Sequence, residues 1–175
     1  MRRRLAHVAV LALLASLPVL VAADRQSFPR ASPDIELLVK QALEDRFAAG
    51  NVPDRNLLGA SRRIAIREDM AQARLTLGSA ALPQQEGYEF YLLSTTAAQA
   101  EADRTGQHVH FVLVDGPAIS ADLGVVWIGV DFVAPRDRKM IKLCCCSGRG
   151  QFRRIDGRWT FVKWLETVCS SPSEH

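Results

Sequence analysis

Cys144, Cys145 and Cys146 stand consecutively, and Cys169 lies near the carboxyl end. Thiols can pair, ligate a metal or act as nucleophiles. In an exported protein the default is a disulfide. Strand alternation would put Ile141, Leu143 and Cys145 on one face and Lys142, Cys144 and Cys146 on the other. The apolar face should bury Cys145 as a small hydrophobe. Either Cys144 or Cys146 is then left to tie the strand to Cys169, closing a loop of about 25 residues for roughly 3 kcal/mol in the chain-entropy model. A bond between adjacent cysteines would be strained and reducible. Three consecutive thiols on an extended strand cannot all converge on one metal ion, so no metal site is expected.

His108 and His110 are two apart and share one face of an expected strand. A metal there would need further ligands from neighbouring strands. His110 beside a carboxylate could act in acid–base chemistry. Asp131 shares its parity with Val125, Trp127 and Gly129 along another apolar run. On a concave sheet face it would be an acid at an apolar mouth, where loss of water favours the protonated form. These two residues are the only catalytic candidates. The chain has no G-x-S-x-G elbow, H-E-x-x-H helix, phosphate loop or dinucleotide fingerprint, and no cofactor is expected.

The amino terminus reads as an address. Arg2, Arg3 and Arg4 precede an uncharged apolar run from Val8 to Val21, and Ala23–Asp24 offers a cleavage site after small residues. Pro18 interrupts the run too early for a good membrane anchor. The expected organisation is a leader at 1–23, a polar segment at 24–33, one domain at 34–168 and a tail at 169–175. Without the leader, 19 basic residues balance 19 acidic ones, which argues against nucleic acid as a partner. The charge is nonetheless uneven: residues 133–175 carry nine basic and four acidic groups. Arg153, Arg154 and Arg158 could therefore dock an acidic partner.

The elements that must position these groups follow from periodicity. Ser32-Pro33-Asp34 starts a helix, and Ile35, Leu38, Val39, Ala42, Leu43 and Phe47 form its apolar stripe, with Glu36, Lys40, Glu44 and Asp45 mostly opposite. Gly50 and Pro53 end it. Alternation then predicts strands around Ile64–Ile66, Leu75–Leu77 and Tyr88–Leu93. Thr96 and Gln99 fit a capping box for a second, Ala-rich helix ending at Gly106. Strands are expected at His108–Val114, Val125–Val133 and Met140–Cys146, with Asp115-Gly116-Pro117 turning the first. Asp156-Gly157 joins a final hairpin. The class is α+β: an antiparallel meander, curved against the long first helix, with a second short helix.

That order, with the hairpin Phe152-Arg153-Arg154-Ile155-Asp156-Gly157-Arg158-Trp159, resembles the nuclear transport factor two-like superfamily over residues 34–165. The resemblance implies a curved sheet around a long helix, in a superfamily of isomerases, dehydratases and many non-catalytic binding modules. The expected function is an exported, non-catalytic module that binds a small apolar ligand or an envelope partner. The alternatives are an isomerase- or dehydratase-like enzyme with Asp131 or His110 as base, and an inhibitor-like or structural protein docking through its basic hairpins.

Overall fold

The computed structural model describes residues 28–137 and 146–169. Helix α1, Pro33–Ala48, begins where the sequence places it. Ser32 stays extended and its hydroxyl accepts from the Ile35 N–H, while Pro33 costs no intrahelical bond at the first position. Leu38, Val39, Ala42, Leu43 and Phe47 are buried against the sheet. Glu36 corrects the expected polar face, because it is buried as well. Its carboxylate accepts from the Gly78 N–H at 2.8 Å and pairs with Arg30 at 2.9 Å.

Six strands form one mixed sheet in the order β4-β1-β5-β6-β7-β8. They are β1 Arg63–Arg67, β4 Glu89–Leu93, β5 Val109–Ser120, β6 Leu123–Val133, β7 Cys146–Ile155 and β8 Arg158–Cys169. From β5 to β8 the neighbours are antiparallel and sequential, the expected meander. The purely antiparallel expectation fails at β1, which lies between β4 and β5 and is parallel to both. Helix α2, Thr95–Thr105, is the crossover that lets β4 and β5 run the same way. The Leu75–Leu77 strand is reduced to β3, Leu75–Thr76, paired with β2, Asp69–Met70, and bridged at Thr76 to Arg30.

Alternation sorts the side chains to two faces. Ile64, Ile66, Val112, Val114, Val126, Ile128, Val130, Phe152 and Trp159 pack in the core beneath α1. On the opposite face Ala65 and Phe111 meet Ala98 of α2. The helices therefore lie on opposite faces. Gly124 shows how closely α1 approaches: a Cβ there would stand 2.9 Å from the Leu38 side chain and 3.1 Å from Trp159.

Two local expectations change. Ser94 caps α2 by accepting from the Ala97 N–H, while the Gln99 amide reaches the Ala134 carbonyl. Asp115-Gly116-Pro117 does not end its strand. The register shifts between Asp115 and Ala118, and β5 continues to Ser120. Gly116, at φ +53°, supplies the left-handed residue that a bulge of this kind can use. The expected Met140–Cys146 strand lies outside the described residues except for Cys146, which opens β7.

Candidate functional site

Asp115 alternates with Phe111 and Leu113 along β5 and forms the wall of a cleft on the α2 side of the sheet. The cleft is about 310 Å³, with Leu113, Trp127 and Val168 as its apolar surfaces and Gln72, Ser147 and Glu166 as its polar ones. Packing of α2 is centred on the β5 and β6 region around Phe111, leaving this part of the face open. Asp115 is buried, and its carboxylate accepts from the N–H groups of Gln72, Ala73 and Gly116 at 3.1, 3.4 and 2.8 Å. Arg67 Nη2 completes the set at 3.3 Å. A carboxylate bonded this way fixes the backbone of the β2–β3 connection against β5.

Asp131 lies on the same face as Trp127, as its parity requires, but it does not line the cleft. Its side chain is 40% exposed, its Oδ1 accepts from the Phe132 N–H at 2.8 Å, and its Oδ2 stands 3.9 Å from Arg67.

His108 and His110 share the other face with Phe132, whose ring lies 5.1 and 5.8 Å from theirs. Burial first, and His108 second, hold the His110 pKa below the usual histidine value. Its Nε2 is buried without a partner. Among the described residues neither imidazole hydrogen-bonds a carboxylate, and no group of three or more His, Cys, Asp or Glu side chains could hold a metal ion.

Cys146 bonds Cys169, its directly opposite partner in the β7–β8 ladder. This selects one of the two pairings left open by alternation. Cys144 and Cys145 lie outside the described residues.

The three hairpin arginines have different surroundings. Arg153 stands 4.0 Å from Asp122. Arg154 bonds Asp34 at 3.1 Å and stacks over the Trp159 ring at 4.6 Å. Arg158 has no ion pair among the described residues.

Sequence reasoning missed Arg67, Gln72 and Asp115. Asp115 looked like a turn residue, whereas it pairs with Trp127 inside β5 and its carboxylate bonds the β2–β3 connection. Arg67 carried a legible signal, since its alternation with Ile64 and Ile66 places it opposite the α1 core.

Among the described residues no helix is long and apolar enough to cross a membrane. The disulfide is of a kind that persists in oxidising compartments. No family model, curated protein or solved structure matches this chain.

Proposed function

We propose that this chain is an exported, non-catalytic binding module whose cleft between Trp127 and Val168 takes a small apolar ligand. The carrying observation is the cleft itself: about 310 Å³ of open space against an indole and two aliphatic side chains. This is within the range of small-molecule sites, which combine apolar walls with a few polar groups. Val168 is itself 48% exposed, so the apolar wall it supplies is open to a ligand. The leader and the disulfide support export. The resemblance to the nuclear transport factor two-like superfamily supports the same reading, because many of its members bind without catalysis.

The test is a titration of the chain from Asp24 with N-phenyl-1-naphthylamine, an apolar dye that fluoresces on leaving water. Saturable binding at one site is expected, weakened about tenfold in Trp127→Ala, a change of about 1.4 kcal/mol. A linear, unsaturable signal, or equal affinity in the variant, overturns the reading.

A further inference from the structure

A second cleft, about 310 Å³, opens toward the β4 end of the sheet. There the short helical turn Arg55–Leu58 meets the segments that enter β1 and β4. Two left-handed glycines border it: Gly59, at φ +65°, ends the turn, and Gly87, at φ +82°, precedes β4. A Cβ on either would meet nothing within 4 Å, so both stand against open space. Ile64, a member of the core beneath α1, lies at the base of the lining. This cleft and the Trp127 cleft are therefore on opposite sides of the sheet.

Its charge is of one sign. Arg55 and Arg62 line the cleft, and no Asp or Glu does. The acids adjoining the lining in sequence have other partners. The Asp54 carboxylate accepts from the Cys146 N–H, and Glu89 pairs with Arg63 at 3.1 Å. Among the described residues neither Arg55 nor Arg62 takes part in an ion pair. The Ser61 hydroxyl is also occupied, since it donates to the Arg63 carbonyl at 2.8 Å and accepts from the Arg63 N–H at 3.1 Å.

Arg55 is half-buried and held at the cleft by aromatic side chains. Its Nη2 donates to the hydroxyl of Tyr88, which lines the same cleft, and its guanidinium carbon lies 5.4 Å from the Tyr88 ring centre. The Phe47 ring centre is 5.8 Å away on the core side. A guanidinium has five N–H donors and no acceptor, so one phenol leaves most of that capacity unused. A cation partly withdrawn from water without a counter-charge is costly, and a bound anion offsets that cost. A carboxylate matches the guanidinium fork through two parallel hydrogen bonds. Leu58 and Tyr88, both half-buried, keep apolar surface beside the charges for the rest of a ligand.

We propose that the Arg55–Arg62 cleft binds a small organic carboxylate with an apolar body, of which benzoate is the simplest aromatic case. Arg55 and Arg62 hold the carboxylate, while Leu58 and the Tyr88 ring cover the body. The volume is in the range of small-molecule sites. An inorganic anion would use the arginines and leave the apolar walls in water. This site is independent of the Trp127 cleft and survives if that cleft proves empty.

The test follows the backbone ¹H–¹⁵N resonances of the chain from Asp24 during a titration with benzoate. The amides of Gly59 and Gly87 are expected to move saturably, and that of Gly116, beside Trp127, to stay in place. Benzyl alcohol, which lacks the charge, should bind at least about tenfold more weakly. Acetate, which lacks the body, should also bind more weakly than benzoate. Arg62 is exposed, so Arg62→Gln should leave the Gly116 resonance in place and weaken benzoate about tenfold. Arg55→Lys, which keeps the charge and loses the fork, should weaken it as well. The proposal fails if benzoate gives no saturable shift at Gly59 and Gly87, or if benzyl alcohol binds equally well. It fails too if Arg62→Gln binds benzoate unchanged, or if acetate or inorganic phosphate binds as tightly as benzoate.

Discussion

Arg67 of β1 reaches across the sheet to Asp115 of β5, Nη2 to Oδ2 at 3.3 Å, with both side chains largely buried. The same guanidinium donates through Nε to the Asp69 carbonyl at 2.8 Å. One side chain therefore links the mixed part of the sheet to the small β2–β3 hairpin and to the wall of the Trp127 cleft.

Replacing Asp115 by Ala should cost about 3 kcal/mol, because it strands a buried guanidinium and three N–H donors together. Asp115→Asn, which keeps an acceptor for the N–H groups, should cost less. Urea unfolding measures both through the shift in midpoint at constant slope. A loss under about 1 kcal/mol for the alanine variant would mean that water and Asp131 satisfy Arg67 unaided.

The disulfide should contribute about 3 kcal/mol, given a separation of 23 residues between Cys146 and Cys169. Cys169→Ser removes the β8 partner of this bond and should lower the urea midpoint accordingly. Peptide mapping of the oxidised chain checks the pairing itself. A fragment joining Cys169 to Cys144 or Cys145 would contradict it.

Acidification should destabilise the chain through His110. Burial lowers its pKa in the folded state below the unfolded value of about 6.5, so the unfolded chain takes up the proton first as pH falls. Its contribution is neutral above about pH 7, and stability is lost as pH falls through about 6.5 toward the folded pKa. His110→Phe should flatten the stability profile between about pH 7 and 5.5 relative to the parent chain. Parallel profiles for the two proteins would assign the acid sensitivity to other groups.

Much of this architecture is legible because it is local. Ser32, Pro33 and the 3–4 spacing from Leu38 to Phe47 define α1 within a single stretch of chain. Asp156 and Gly157, both at positive φ, make the hairpin that their types announce. What escapes is set by partners distant in sequence. Nothing within Arg63–Arg67 says that β1 will sit between β4 and β5, since insertion depends on which edges are free when the chain collapses. Asp115-Gly116-Pro117 has turn chemistry, yet left-handed glycine serves a bulge equally well, and pairing with β6 decides which one forms. Glu36 reads as solvent-facing because its partners, Gly78 and Arg30, come from outside the helix. The Trp127 cleft divides the same way: Trp127 was visible as an aromatic on an expected strand, whereas Gln72 acquires meaning only through its bond to Asp115.

The β7–β8 hairpin is joined by the backbone at Asp156-Gly157 and by sulfur at Cys146 and Cys169. These two strands therefore form a covalently closed ring. A protease that cuts once at the exposed turn opens the ring without releasing either strand. Trp159, Arg158 and Val168 would remain tethered to the rest of the molecule after such a nick. β8 is an edge strand that only β7 pairs, so the second attachment holds the strand with least backbone pairing to keep it in place.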